Sequence, residues 1–418
     1  MGYNINMKMI QRYKTAIIGG GASGLFLANL LCQKGFAPEE ILLLERGERV
    51  GRKLSSTGNG QGNVTNLSVT KEGYFSSCDK AVQRIRNLIH RYDDTALKTF
   101  FASLGVLLLP DERGRVYPAS RQASALTDAL RFSVEKVSLR LQTVVTGIEK
   151  ATGTNGSGCG FYIHATSPEG KEEYFAENVV LCAGGKAAKN FGTDGSAYAL
   201  VKPFSHTATS LYPSLVQLKT ETAHIKALKG IRVNDGKLTA RFSGQEISLR
   251  GDIIFTDYGV SGDAVFRISA YIADKLDEGV TLSIDFLPEV SEAEIENALS
   301  QKNAAYPTLA KTEWLFGIVN NQIGRAIFRR ADGDVKKAAA LVKAFALPVT
   351  GSLGFDYAQV TKGGIPLSEV DDNLQSRKES GLYFAGEILD VDGACGGYNL
   401  QWAFSSASAV ADALTAQK

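Results

Sequence analysis

Apolar positions fall into two rhythms along the chain. Thr15-Ala-Ile-Ile18 is a short, mostly apolar run bounded by glycines, the pattern of a strand buried on both faces. From Ala22 to Lys34 apolar residues recur at helical spacing (Leu25, Leu27, Ala28, Leu31), and Gly35 supplies a helix stop. Ile41-Leu-Leu-Leu44 is a second buried run. Strand, helix and strand in this order predict parallel strands joined by a right-handed crossover, the opening of a doubly wound sheet.

The rhythm then changes. Between Val137 and Val180 strands are predicted at Thr143-Val-Val145, Gly160-Phe-Tyr-Ile-His164 and Asn178-Val-Val-Leu181, with Ser167-Pro-Glu-Gly170 as a turn. From Ser205 to Asp285 short strands continue: Asn234-Asp-Gly236 reads as a turn and Lys237-Leu-Thr-Ala-Arg-Phe242 alternates. An antiparallel barrel or sandwich fits that stretch. Helices follow. Ser291 with Glu294 makes a capping box before Ile295 and Leu299, and Trp314 to Arg330 and Asp334 to Phe345 are helix-like. Last come a strand at Gly381-Leu-Tyr-Phe-Ala385 and a helical pattern from Tyr398 to Leu414 behind Gly396-Gly397. The chain leaves a nucleotide-binding type of domain, builds an insertion and returns.

At 418 residues there is room for roughly two to three domains. Apolar residues at 44% and charged residues at 22% are globular composition and exclude a wholly disordered chain. Forty-six basic against forty-four acidic side chains leave +2, which lacks the basic excess of a nucleic-acid binder. Five scattered cysteines without CxxC spacing speak against a disulfide framework, and four histidines without HxxxH spacing against a protein-held metal. Three glycines interrupt the apolar stretch from Thr15 to Leu31, which argues against a membrane helix or signal peptide. Gly2 occupies the myristoylation position, but Asn6 stands where Ser or Thr is needed. Asn63-Val-Thr65 and Asn66-Leu-Ser68 match glycosylation acceptors, with no secretion signal to make them meaningful. The expectation is a soluble cytoplasmic protein that acts on a small molecule, with no membrane, nucleic-acid or obligate protein partner.

Three clusters carry the candidate chemistry. Gly19-Gly-Gly21-Ala22-Ser23-Gly24 is a G-x-G-x-x-G at a strand-to-helix junction. Gly19 permits the tight turn, Gly21 lets backbone approach a pyrophosphate, and Gly24 lets helix and sheet pack closely. The phosphates would meet free N–H groups at the helix start. Glu45, at the end of the second strand, is placed to bind the ribose hydroxyls of an adenosine; an acid there suits FAD or NAD and repels the 2′-phosphate of NADP. A glycine-rich turn that binds nothing is the plainer alternative, and the surrounding strand, helix and acid oppose it.

The second cluster is Gly51-Arg52-Lys53-Leu54 with Thr57-Gly58-Asn59-Gly60-Gln-Gly-Asn63-Val-Thr-Asn66. Glycines alternating with amides allow close approach to a planar ligand and offer many donors; Arg52 and Lys53 could meet a diphosphate, and Arg46 is a further cofactor-binding candidate. A polar surface loop is the plain alternative. The third joins Gly381-Leu-Tyr-Phe-Ala-Gly386-Glu387 to Gly393-Ala-Cys395-Gly-Gly-Tyr398-Asn399-Leu400-Gln401. There an acid could hold a ribityl hydroxyl and a helix start could stabilise negative charge on a reduced flavin. Close packing alone would also explain Gly386 and Gly396.

The stretches Ala16 to Gly24, Gly51 to Asn66, Gly185 to Tyr198, Gly251 to Ser269, Val360 to Gly364 and Gly381 to Ser406 together resemble a flavoprotein family. That family includes aminoacetone oxidases and bacterial reductases of 3-oxo-Δ4,6 bile acids. The resemblance implies an α/β fold: a Rossmann-like, three-layer FAD-binding domain with a doubly wound parallel sheet, from 1–203 and 350–418. It also implies an inserted antiparallel β-barrel-like substrate domain, from 204–288 and 346–349, and a small helical cap at 289–345. FAD would be held non-covalently. By position, Gly19, Gly21 and Gly24 would hold the pyrophosphate and Glu45 the ribose, with Val145 near the adenine. Ala183, Gly184 and Gly185 would border the cofactor. Lys53, Asn59 and Asn63 would line the flavin side, and Gly386, Glu387, Asn399, Leu400 and Gln401 would surround the ribityl chain and ring.

Two segments depart from the family pattern. Gly60-Gln61-Gly62-Asn63 stands where the family has Gly-Arg-Cys-Asn. Phe255-Thr-Asp257-Tyr-Gly-Val-Ser-Gly-Asp263 stands where it has Phe-Thr-His-x-Gly-x-Ser-Gly-Pro. A shared base or substrate does not follow for this chain. Asp257, Tyr398 and Cys395 are weak catalytic candidates, each with a bland counterpart: a solvated turn acid, a packed ring, a small spacer. Cys182, Asp263, Tyr258 and His206 carry no stronger signal. The expected activity is an FAD-dependent oxidoreductase, with reduction of an activated C=C or enone favoured and NADH or NADPH as transient donor. The alternatives are an amine or aminoketone oxidase that releases H2O2, and a flavin-binding redox sensor or RNA-modification accessory without turnover.

Overall fold

The computed structural model describes residues 10–70, 72–151 and 159–417; Gly2 and Asn6 lie outside them. The described chain forms two compact units. One runs up to Leu211 and resumes at Val360; the other is Tyr212–Gln359.

In the first unit the strand Gln11–Ile18 pairs in parallel with Ile41–Leu44 on one side and Gly170–Leu181 on the other. Ile41–Leu44 pairs in parallel with Ser138–Arg140. Gly170–Leu181 serves two neighbours: its first half pairs antiparallel with Phe161–Ser167 and its last residues pair in parallel with Leu382–Phe384. Val144–Lys150 closes the sheet beyond Phe161–Ser167. Seven strands result, parallel where the opening pattern foresaw it and antiparallel along one flank. Ala16, Ile17, Leu42, Leu43, Val179 and Val180 are wholly buried, as parallel strands covered on both faces require. The helix Ala22–Gln33 buries Leu25, Leu27, Ala28 and Leu31 and packs beside the long final helix Tyr398–Ala416. Phe26 meets Phe404 there, ring centres 4.8 Å apart. Asn29 is buried in the same helix, and its amide is satisfied by the carbonyls of Leu25 and Leu130.

The second unit is a closed six-stranded barrel. Its interior is lined by residues such as Leu238, Ile253, Phe255, Leu282, Ile284 and Leu347. The helices Glu292–Ala305, Asn321–Arg330 and Val335–Lys343 add Ile295, Leu299, Ile327 and Val342 to the same apolar cluster. Ser291 and Glu294 form the expected capping box.

Two local expectations are corrected. Asn234-Asp-Gly236 is not a turn: strand Arg232–Phe242 runs through it as a bulge, with a register shift between Val233 and Gly236 and Asp235 at φ +50°. The hairpin reverses instead at Ser243-Gly244, both left-handed (φ +46° and +76°), as a two-residue hairpin loop demands. Trp314 to Asn320 is likewise not helical. The helix begins at Asn321, capped by the Asn320 side chain on the Gln322 N–H, after Gly317 breaks the chain at φ +75°. Among the described residues no helix is long and apolar enough to cross a membrane.

Candidate dinucleotide site

Gly19 follows the first strand, and its φ of +109° and its approach to the Cys182 carbonyl leave no room for a side chain: a Cβ would lie 2.5 Å from that oxygen. Gly24 is as constrained, since its Cβ would meet the Gly19 carbonyl oxygen at 1.9 Å. Gly21 is the opposite case. It caps the helix Ala22–Gln33, and nothing lies within 4 Å of where its Cβ would be. Sterics inside the protein therefore explain two of the three glycines. The third borders open space, where a ligand can come against bare backbone. No acidic residue occupies the first turn of this helix.

Glu45 is oriented from both sides. The Gly20 N–H donates to its Oε2 at 2.8 Å and the Gly47 N–H to its Oε1 at 2.7 Å. A carboxylate held this way beside the glycine turn retains lone pairs for the hydroxyls of a ribose. Val145 is half-buried on the strand Val144–Lys150.

The cations after Glu45 clasp a distant loop. Arg46 donates to Asp194 (2.8 Å) and Ser196 (3.2 Å), and Arg52 donates to the Asn190 carbonyl (2.7 Å). Partial burial alone would raise the Asp194 carboxyl, but hydrogen bonds from Ser196 and Arg46 hold it below its ordinary value. The backbone at Gly58, Asn59, Gly60 and Gly62 is left-handed throughout, which coils this loop tightly. Thr57 caps the preceding turn by donating to the Leu54 carbonyl.

The third cluster folds against the first. The Gly386 N–H donates to Ser406 Oγ and its carbonyl accepts from the Trp402 indole. A side chain on Gly386 would strike Ser23 Oγ at 2.7 Å, so this turn lies against the start of the first helix. Glu387 is bound at both oxygens: Lys53 Nζ at 2.7 Å and the Thr361 N–H at 2.9 Å. The Cβ of an alanine at Gly184 or Gly185 would come within 3.8 or 3.3 Å of its carboxylate, and Ala183 precedes them at the strand end. Thr361 also accepts from the N–H groups of Lys186 and Ala187.

The fold thus gathers Gly19 to Gly24, Glu45, Lys53, Gly184, Gly185, Gly386 and Glu387 around one strand-end region. Several other expected ligands use their side chains to brace that region. Asn63 donates to the carbonyls of Thr65 and Val116, and Asn399 exchanges hydrogen bonds with the Gly393 backbone. Gln401, 1% exposed, is saturated by Thr65, Tyr92 and Ser405. Leu400 is partly buried beside the core. The Tyr398 ring packs edge-on to Tyr74 and against Gly73. Cys395 is partly exposed, whereas Cys182 is sealed in, and burial pushes its thiol up to about 12. Asp257 belongs to the barrel unit, on an exposed turn ion-paired with Lys229 at 2.8 Å. The Lys229 ammonium lowers its pKa; it has the character of a solvated turn acid.

Sequence reasoning missed Thr361 and Tyr198. Tyr198 is 9% exposed and its hydroxyl finds no partner among the described residues. Both lie within stretches of the family resemblance, but no spacing rule singles them out.

The family described as the HI0933-like protein Rossmann domain matches residues 13–413. The chain is 33% identical to the 3-dehydro-bile acid delta(4,6)-reductase of Clostridium scindens, over 94% of this chain and 97% of the relative. It is 28% identical to the ribosomal RNA dihydrouridine synthase of Escherichia coli, over 98% of this chain and 100% of the relative. Among solved structures, the 3-ketosteroid-delta4-(5alpha)-dehydrogenase of Rhodococcus jostii superposes with a TM-score of 0.53 at 15% identity, over 99% of both chains. That last likeness concerns the fold.

Proposed function

The chain belongs to the HI0933-like Rossmann-domain family, and from that premise we propose that it is an FAD-dependent oxidoreductase. In this reading it reduces a C=C bond conjugated to a carbonyl, with NADH or NADPH as transient donor. The observation that carries it is the near full-length match to a reductase of this bond type, on a chain whose Gly21 borders open space and whose Glu45, oriented by two backbone N–H groups, keeps lone pairs for a ribose. FAD, when bound, supplies hydride exchange at its N5. The protein's own part is binding and placement. The bare backbone at Gly21 and the helix start receive the pyrophosphate, and Glu45 accepts from the ribose hydroxyls. The Lys53–Glu387 pair and the Gly184-Gly185 turn shape the far side of the cofactor. Asn63, Asn399 and Gln401 keep that backbone rigid through the bonds already described.

A second reading has support of its own. The relatives named ribosomal RNA dihydrouridine synthases also match across the chain, and uridine presents the same motif, a C=C conjugated to a carbonyl. The near-neutral charge of +2 favours a small substrate over RNA, whose phosphates reward a basic surface. An anaerobic visible spectrum of the purified protein, followed by NADH and then NADPH, tests the shared part. Flavin bands that bleach on adding nicotinamide are expected. Bands that persist until an amine is supplied would favour an oxidase, and no bands after reconstitution with FAD would end the proposal. Reoxidation of the bleached protein by a 4,6-dien-3-one steroid, against unmodified ribosomal RNA with dihydrouridine as readout, separates the two substrates.

A further inference from the structure

The segment from Gly185 to Gly195 closes on itself. The Gly195 N–H donates to the Gly185 carbonyl at 3.1 Å, so the two ends of the loop touch. A surface loop of this kind is an Ω-loop, a compact unit on a narrow neck. Thr361 holds its first residues through the N–H groups of Lys186 and Ala187, and the Lys189-Asn190-Phe191 tip is exposed. Its far side is held by the two arginines. Arg46 donates to Asp194 Oδ1 at 2.8 Å and to Ser196 Oγ at 3.2 Å, and Arg52 donates to the Asn190 carbonyl at 2.7 Å.

The sheet order fixes what this clasp crosses. Gln11–Ile18 lies between Ile41–Leu44 and Gly170–Leu181 and is parallel to both. Arg46 belongs to the chain that leaves the end of Ile41–Leu44, and Asp194 to the chain that leaves the end of Gly170–Leu181. Their contact therefore runs past the end of the strand between them. The glycine turn starts there, and ligands of such sheets bind at that end. The arginine segment is tied to the turn: the Gly51 N–H donates to the Gly20 carbonyl, and Glu45 accepts from the Gly20 N–H. The Arg46 and Asp194 side chains are 41% and 29% exposed, and an ion pair that water reaches adds little to stability. Such a contact is cheap to open.

We propose that the Arg46–Asp194 clasp is a strap across the mouth of the dinucleotide site, which opens for FAD to enter and again for it to leave. The inference rests on the FAD reading above. A strap closed in both the empty and the loaded protein slows both passages and leaves their balance unchanged. Asp194→Asn removes the ion pair but keeps an oxygen for the Ser196 N–H and hydroxyl. Association and dissociation of FAD should both quicken about 2- to 5-fold, the range open to an exposed ion pair, with the dissociation constant held within about 2-fold.

Entry is read by mixing deflavinated wild-type or Asp194→Asn protein with FAD in a stopped-flow fluorimeter. Release is timed from protein loaded with radiolabelled FAD into an excess of unlabelled FAD. A joint rise of both rates is the expected result, and the charge-swapped pair Arg46→Asp with Asp194→Arg should return them toward wild type. Unchanged rates would overturn the proposal. So would faster release without faster entry, because Asp194 would then hold bound FAD and gate nothing. If Asp194→Asn fails to fold, wild-type protein in rising KCl carries the same test: screening opens the pair and should quicken both rates, whereas slower entry with faster release would mark phosphate contacts alone and overturn the strap. Wild-type protein that binds no FAD would instead refute the functional reading on which the inference depends.

Discussion

Alanine at Gly21 and at Gly24 should act in opposite ways, although the two glycines stand three positions apart in one motif. At Gly21 the backbone (φ −81°, ψ −163°) is open to any residue, and a Cβ would have no neighbour within 4 Å. Lower entropy of the unfolded chain stabilises Gly21→Ala by about 0.4–1 kcal/mol. Alanine is a poorer helix cap than glycine by roughly 0.5–1 kcal/mol. The two nearly cancel, so the apoprotein should unfold within about 1 kcal/mol of wild type. The bound state differs. The new methyl stands where the pyrophosphate would approach, and loss of one charge-assisted N–H···O bond at about 1.5–3 kcal/mol weakens FAD roughly 10- to 150-fold. Gly24→Ala drives a Cβ to 1.9 Å from the Gly19 carbonyl oxygen, which is backbone and cannot rotate away. Overpacking of this kind costs about 1–3 kcal/mol or more, and the loss appears without any cofactor. Urea unfolding of the apoproteins and FAD titration read the two effects separately. Unweakened FAD binding by Gly21→Ala would show that no phosphate rests on that backbone, and an unchanged Gly24→Ala midpoint would show that helix and turn are not packed as described.

Two further predictions concern groups away from the Gly19–Gly24 turn. The Cys182 thiol, pushed up to about 12 by burial beside Ser23, should stay unmodified by a thiol reagent at pH 8, while the exposed Cys78 and Cys159 react; mass spectrometry finding early label on Cys182 would contradict its burial. His206 is wholly buried, bonded to Glu369 (2.6 Å) and Ser376 (2.7 Å). Burial depresses its pKa below the ordinary 6.5 despite the carboxylate, while hydrogen bonds from Lys378 and His206 outweigh burial and hold Glu369 below its ordinary 4.5. Both shifts have one sign: the unfolded chain takes up protons first, so their contribution is full above pH 6.5 and is lost as pH falls through the depressed values. The urea midpoint should therefore drop between pH 7 and pH 4, and His206→Gln should flatten the upper part of that slope; an equal slope in the variant would assign the effect elsewhere.

Much of the first unit was legible because its information is local. Thr15 to Leu44 declares strand, helix and strand within one short window, and its glycines announce a turn in which Gly19 and Gly24 have no room for a side chain. The capping box at Ser291 and the helix behind Gly397 are legible on the same ground. Local pattern failed where two conformations share one signature. Asn234-Asp-Gly236 has turn composition but sits inside a strand, because its flanks pair on through the bulge and Ser243-Gly244 provides the reversal. The apolar spacing around Trp314 resembles a helix, yet the chain buries Trp314 and Leu315 from turns.

The amino-acid sequence by itself determined the family, the α/β class and the place of the glycine turn, since glycine conformation and buried-strand periodicity act over a few residues. Only the tertiary structure decided which polar groups have partners. Lys53 meets Glu387 across 334 positions, and Gln401 and Asn63 turn inward to hold backbone. Tyr198 is left with a hydroxyl that has no hydrogen-bond partner among the described residues. Hydrogen-bond satisfaction depends on which distant segments the packed core brings within about 3 Å, and no spacing along the chain encodes that distance.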